Sequence, residues 1–383
     1  MMDLGEIQFF WRVNKEKNAK NIAPDFLPFI LSFDSARQLF IQLPNISTFQ
    51  HLEAVYRSGE NVGYLQKGHP IGEQYALDFL SFIKKNMPNH TPEKKTRVTE
   101  IGCGDGYLLD ELEKAGNSVL DIEPNTLKAN SKIIQGFYPK VRPDHKSDII
   151  IHYDVLEHIS KPSDFLSEHL TDLEKDGKVI FAVPNCGNYL SIGDISPMIH
   201  EHFNYFDEES LMLTVKSAGF QKIQIENSSH GALLFCAAQK GDTTESSHMD
   251  INSSQFNYKK FDKFTAESKL LQKNLLNFIY DIEAQQKSLG FYVPLRALPY
   301  LSACKSLREY RFFDDNPDWH GKYFDGFSQP IENIDDLQNK PVDHIIIMSI
   351  GFANAIESKL SKILFEKPIH IHTLQDFSLP VIP

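Results

Sequence analysis

The chain has 383 residues, 41% of them hydrophobic and 23% charged, with a formal net charge of -12. That length suits two or three domains with cores large enough to need no staples. The acid excess excludes nonspecific nucleic-acid binding, which depends on Lys and Arg neutralising phosphates, while leaving room for a local basic pocket for one nucleotide. The four cysteines, Cys103, Cys186, Cys236 and Cys304, have no C-x-x-C or zinc spacing and read as reduced thiols of a cytoplasmic protein. The N-terminus lacks the apolar core of a signal peptide. The longest apolar run, 344–352, is too short to span a bilayer, so no membrane partner is expected.

Residues 1–67 read as a small β-rich module with strands over 9–13, 29–33 and 39–43. The aromatic and polar stretch 56–66 precedes a helix over 72–87. It can lie as a lid across a ligand mouth with Tyr64 facing the ligand, or serve as a connector with Tyr64 packed in the core. A second domain is expected over 68–240.

The stretch 98–112, VTEIGCGDGYLLDEL, organises that domain. A β-prone run over 97–101 ends in Gly102, Gly104 and Gly106, and the pattern turns helical at Tyr107. Glycines at this spacing let the backbone turn sharply and approach a ligand closely. A dinucleotide fingerprint would place its third glycine at 107, where Tyr107 stands. Glu100, two residues before the first glycine, suits a cationic group better than a phosphate.

A second apolar run, 118–122, ends in Glu123-Pro124-Asn125, an acid at a strand tip placed to accept from both hydroxyls of a ribose. A third strand over 148–153 leads into Asp154-Val155-Leu156-Glu157-His158-Ile159. A fourth, over 178–183, ends in Val183-Pro184-Asn185. Then come the His200-Glu201-His202-Phe203 segment, a helix to Gly219, and β runs over 221–226 and 232–238.

Residues 241–256 are polar and Ser/Thr-rich, the clearest linker in the chain. After them, Phe264, Leu270, Leu271, Leu275, Phe278 and Ile279 keep helical spacing. Strands over 291–294, 310–313 and 344–350, with a helix to about 306, predict a second, smaller parallel sheet over 257–383.

Together, E-x-G-x-G-x-G, the Glu123 strand end and the Asp154–His158 segment resemble a class I S-adenosylmethionine-dependent methyltransferase. Three further stretches are similar to the nucleotide-sugar C-methyltransferases that act on 4-keto-deoxysugars: His200-Glu201-His202-Phe203, Ser229-His230-Gly231, and the run 314–331. The resemblance implies an α/β fold: a Rossmann-like methyltransferase domain with a small N-terminal β-rich module and a second Rossmann-like α/β domain. It implies S-adenosylmethionine as cofactor, held by Glu100, Gly102, Cys103, Gly104, Gly106, Tyr107, Glu123, Asp154 and Val155.

The same resemblance implies a nucleotide-sugar substrate contacted by Tyr64, His200, His230, Asp314, Asn316 and Lys322, and a homodimer. His202 is then the base, Glu201 its partner in positioning the sugar, and His158 a donor to the enolate oxygen or a second acid/base. The family's N-terminal module binds zinc through four cysteines. This chain has none before Cys103, with Asp34 to Arg37 where the second pair should lie, so no metal is expected. The glycine loop usual after the first C-terminal strand is replaced by the Gly290–Arg296 stretch. The competing readings are an O- or N-methyltransferase on a sugar or other small metabolite, and a non-catalytic binding protein that keeps the fold.

Overall fold

A computed structural model describes residues 1–17, 19, 23–43, 45–58, 70–88, 95–124, 132–241, 258–302, 310–351, 353–363 and 367–378. In chain order the strands are β1 (Met2–Gln8), β2 (Phe26–Asp34), β3 (Leu39–Gln42), β4 (Arg97–Ile101), β5 (Ser118–Glu123), β6 (Ile133–Gln135), β7 (Ser147–Tyr153), β8 (Leu173–Pro184), β9 (Asn204–Tyr205), β10 (Phe220–Asn227), β11 (Leu233–Lys240), β12 (Leu289–Tyr292), β13 (Arg311–Asp314), β14 (Ile331–Asn333), β15 (His344–Ile347) and β16 (His370–Thr373).

The chain folds into two compact, discontinuous units. One comprises Met1–Ser32, Cys186–His200 and Tyr258–Pro383; the other comprises Phe33–Asn185 and Glu201–Asn257. This partition differs from the sequential domains expected at 1–67, 68–240 and 257–383. Residues up to Ser32 group with the C-terminal part, and a fifteen-residue excursion from the central part does the same, which no local composition change announces. The linker expected at 241–256 lies, apart from Gly241, outside the described residues.

The central unit is built on a seven-stranded sheet of order β10-β11-β8-β7-β4-β5-β6. Neighbours from β8 to β6 run parallel, and β11 is antiparallel to both β8 and β10. Strands covered on both faces read as unbroken apolar runs. In β7, Ile150 enters one core cluster while Ile149 and Ile151 enter the other, as the two-residue period of a strand requires. The sequence order reverses between β4 and β7, which opens a crevice at their carboxyl ends. β3 pairs antiparallel with β9 in the same unit.

The other unit holds the β1–β2 hairpin and an all-parallel sheet of order β14-β13-β12-β15-β16, the second parallel sheet that the strand and helix alternation predicts. The helix Lys259–Ala284 belongs to it.

Two local expectations change. The strand expected over 9–13 is not formed: β1 precedes it, and Phe9, Phe10 and Trp11 are all buried. A run buried on every side loses the alternation that marks a half-exposed strand. The helix Ile46–Ser58 was not foreseen, although Asn45 caps it by accepting from the Thr48 N–H at 2.8 Å. Among the described residues no helix is long and apolar enough to cross a membrane.

Gly290, in the middle of β12, has Phe313 against it: an added Cβ would lie 2.6 Å from that ring's Cε2. Gly290→Ala is therefore expected to destabilise the chain by about 1–3 kcal/mol through overpacking, measured as a lower urea midpoint with an unchanged slope.

Candidate active site

Gly102, Gly104 and Gly106 all have left-handed backbones, with φ of +79°, +56° and +81°. Side chains would strain there. At Gly102 a Cβ would also lie 3.1 Å from Val155 Cγ2, whereas no described residue lies within 4 Å of that position at Gly104 and Gly106. The loop is held by its own backbone. Gly102 N–H donates to Ile122 O at 3.0 Å, Gly106 N–H to Cys103 O at 2.8 Å, and Cys103 N–H to the Asp121 carboxylate at 3.2 Å. Gly106 then caps the helix Tyr107–Lys114.

Around this loop the charge is negative. Glu100 is 1% exposed, and its Oε2 has no hydrogen-bond partner among the described residues. Burial, and then Asp121 and Glu123, hold its carboxyl well above the usual range. Asp121 is fully buried and pushed up to about 7, chiefly by burial. Burial also pushes the Cys103 thiol up. Such a cradle disfavours a phosphate and fits a ligand carrying positive charge and ribose hydroxyls, as S-adenosylmethionine does. Asp154, left-handed at φ +53°, closes the rim beside Val155. Its buried Oδ1 has no partner among the described residues, and burial raises it to about 7.

The turn after β7 and the segment before β9 meet in the same unit. Phe203 N–H donates to Glu157 O at 2.7 Å, and the Asn204 amide donates to Leu156 O and Ile159 O at 3.2 and 2.7 Å. These bonds bring His158 and His202 together, with ring centroids 5.0 Å apart. His158 Nδ1 lies 2.8 Å from Glu201 O and 3.2 Å from the Tyr56 hydroxyl. A carbonyl only accepts, so Nδ1 carries the proton and Nε2 the lone pair. Burial lowers His158 to about 4 and raises Glu201 to about 7.

Two residues of this cluster were not singled out in the sequence. Glu157 is 1% exposed, with neither carboxylate oxygen hydrogen-bonded among the described residues. Its carboxyl is held well above the usual range by burial and then by Asp154. Tyr56 is raised by burial, then by Glu201 and Glu157. Glu157 stands inside the quoted Asp154–Ile159 motif, so a signal existed. Tyr56 offered none.

The remaining expected contacts are dispersed. Tyr64 lies outside the described residues. His200 is fully buried in the other unit, its ring packed on Phe9 and Phe29 and its Nε2 3.1 Å from Leu27 O. That is a packing position, not a ligand contact. His230 stacks on Tyr75 at 3.6 Å and accepts from Ala232 N–H at 3.3 Å. In the other unit, Asp314 ends β13 and accepts from Asn316 N–H at 2.8 Å, while Asn316 caps the turn Pro317–Trp319 by accepting from Asp318 N–H. Lys322 follows that turn, its N–H donating to Trp319 O at 3.0 Å.

A family described as a methyltransferase domain matches residues 71–225. With the sheet order and the acidic glycine cradle, that match decides the reading. Residues 71–225 form a class I methyltransferase domain with S-adenosylmethionine as its cofactor. Over 148 residues the chain is 26% identical to a probable S-adenosylmethionine-dependent methyltransferase of Mycolicibacterium smegmatis, covering 36% of this chain and 56% of that one. It is 27% identical over 145 residues to the mitochondrial ubiquinone biosynthesis O-methyltransferase of Dictyostelium discoideum, covering 30% and 44%. The chain thus spans about half the length of these curated relatives. A solved S-adenosylmethionine-dependent methyltransferase from Thermotoga maritima, titled a possible histamine N-methyltransferase, is 19% identical with a TM-score of 0.34, covering 43% of this chain and 89% of that one.

The methyltransferase domain's buried acids make its stability depend on pH. Asp121 holds its proton to about pH 7 when folded, against about 3.9 when unfolded. Between those values the folded state binds more protons. Its contribution is therefore complete below the lower value and is lost as pH rises through the upper one, at up to about 1.4 kcal/mol per pH unit. Asp121→Asn keeps an acceptor for Cys103 N–H and does not titrate. Its stability relative to the natural chain is expected to rise across this window and level off above it, read by urea unfolding at several pH values. A flat difference would mean that the carboxylate is already ionised in the folded chain.

Proposed function

We propose that this chain is a methyltransferase that moves the methyl group of S-adenosylmethionine onto a small acceptor, and that the acceptor is a nucleotide-linked 4-keto-deoxysugar methylated on carbon. The observation that carries this reading is the coexistence, in one unit, of the acidic glycine cradle and the Glu157–His158–Glu201–His202 cluster. When bound, S-adenosylmethionine supplies an electrophilic methyl group on its sulfonium. Glu100 would neutralise the cofactor's amino group, Glu123 would accept from the ribose hydroxyls, and the three left-handed glycines would admit its backbone-close approach.

Carbon methylation beside a ketone requires removal of the adjacent proton and stabilisation of the resulting enolate oxygen. His202 and Glu201 are the groups available to take the proton. His158, neutral with its lone pair on Nε2, can accept but not donate there, so the donor role that the family resemblance implies for it is not supported by its tautomer. The family resemblance assigns the nucleotide to Asp314, Asn316 and Lys322, at the carboxyl end of β13 and beyond.

A second reading is favoured by the O-methyltransferase names among the relatives: the same cluster would deprotonate a hydroxyl. Isotopically labelled S-adenosylmethionine offered with nucleotide sugars, each as 4-ketone and as reduced 4-hydroxyl, separates the two. The expected result is label only in the ketones, on carbon by NMR; label in the hydroxyl forms would move the assignment to oxygen. His202→Ala is expected to lower turnover by about 10²–10⁴-fold with cofactor affinity nearly unchanged, by calorimetry. Loss of both would make the residue structural.

A further inference from the structure

The feature that the proton-transfer reading leaves unexplained is Glu157. Its side chain is 1% exposed, and neither oxygen accepts a hydrogen bond from any described residue. An ionised carboxylate buried without a partner is among the costliest arrangements in a protein. Its nearest recorded donor-bearing neighbour is His158, with Oε1 3.7 Å from Nε2, too far for a hydrogen bond. Moreover, the His158 proton is committed to Nδ1 by the Glu201 carbonyl at 2.8 Å. A lone pair and a carboxyl oxygen therefore face one space together, an arrangement that is relieved by a proton on Glu157 or by a cation between the two.

We propose that Glu157, His158 Nε2 and His202 bind one divalent transition-metal ion of the Zn²⁺, Fe²⁺ or Co²⁺ kind. One donor atom from each lies within 4.8 Å of the others. Two donors bound at about 2.1 Å to one tetrahedral ion sit about 3.4 Å apart, close to the 3.7 Å separation of Glu157 and His158. Two imidazoles and a carboxylate form a donor set that suits these ions over Mg²⁺ or Ca²⁺, and three ligands leave positions open. The His158 Nδ1–H bond to a backbone carbonyl is the support that metal-bound histidines usually have, fixing the tautomer that turns Nε2 to the ion. The Phe203 and Asn204 bonds to the turn at residues 156–159 hold His202 against that turn whether or not the ion is present.

The proposal rests on the methyltransferase reading only for what the ion would do. An acceptor oxygen, of a ketone or of a hydroxyl, would complete its coordination, so that the ion would acidify the proton beside the ketone and stabilise the enolate left by its removal, or would acidify the hydroxyl itself. His202 would then be a ligand, leaving Glu201 to take the proton. The expectation of no metal came from the cysteines absent before Cys103, and these do not bear on this cluster.

The test is titration of the chelator-treated full chain with Co²⁺, reading the visible d–d bands, and with Zn²⁺ by competition. Binding of S-adenosylmethionine is measured separately on the same preparations. The expected result is one Co²⁺ per chain, displaced by Zn²⁺. Affinity should fall at least about 10–100-fold in Glu157→Gln, since even loss of an outer-shell partner costs that much, with cofactor binding retained. His202→Asn, at a half-buried position, carries the same expectation and decides the matter if Glu157→Gln fails to fold. Failure of the natural chain to bind either ion at micromolar concentration overturns the proposal. So does binding that survives both variants, which would place the ion elsewhere, for instance at Cys103, Asp121 and Glu123. A chain that binds the ion but not S-adenosylmethionine would sink the methyltransferase reading and leave the metal site standing.

Discussion

The central unit depends on a single physical constraint: acids are buried near the ends of its strands, most of them with an oxygen that accepts no hydrogen bond from the described residues. Glu100 closes β4, Asp121 and Glu123 lie in β5, and Asp154 and Glu157 follow β7. All but the half-buried Asp154 are buried, and among the described residues Glu100, Asp121, Asp154 and Glu157 each keep an oxygen without a hydrogen-bond partner. Such groups cost several kcal/mol each if ionised and isolated, so the apolar packing of β4, β7 and β8 must carry them. The same constraint makes positively charged ligands stabilising in proportion to their affinity, because they bind the folded chain and not the unfolded one. Stability and function are linked here through charge rather than through contact area.

What was legible in the sequence divides along the same line. The cradle was readable because its parts are local: a strand, three glycines, an acid two residues earlier, and a second acid at the next strand end. Its geometry follows from φ values that only glycine adopts readily. The second cluster was half readable. His158 and His202 came through family resemblance, but Glu157 is an acid among many until the Phe203 N–H and the Asn204 side-chain amide tie its turn to the segment that carries His202. Tyr56 stands on a helix that was not foreseen. His200 and His202 show the limit most clearly. Two residues apart, they read alike, yet the chain passes from one compact unit to the other between His200 and Glu201, and one ring is packed while the other joins the cluster.

The C-terminal sheet teaches a related lesson about glycine. The family that the chain resembles usually has a glycine loop after the first strand of this sheet, which the sequence replaces with the Gly290–Arg296 stretch. Here Gly290 sits inside β12, and its missing side chain makes room for Phe313. The chain beyond β12 instead turns at Val293, a β-branched residue held at φ +61° before Pro294, a conformation that costs energy outside glycine. At β13 the polar residues Asp314 and Asn316 are engaged in capping their own turn. The alternation of strands and helices revealed the sheet, but a residue type alone did not reveal whether it serves packing, capping or a ligand.

The tautomer of His158 has the widest consequence. A neutral imidazole whose N–H is given to a backbone carbonyl presents only a lone pair, and burial keeps it neutral well below physiological pH. Methyl transfer to an enolate or an alkoxide passes through a state with negative charge on the acceptor oxygen, which is stabilised by preorganised donors or cations. In this cluster the residues fixed by the fold are a lone pair, two carboxyls that burial holds above their ordinary range, a second imidazole and the Tyr56 hydroxyl, an assembly with no positive charge of its own. Besides the Tyr56 hydroxyl, positive charge held beside the Glu157 carboxyl, whose oxygens have no hydrogen-bond partner among the described residues, would stabilise such a state.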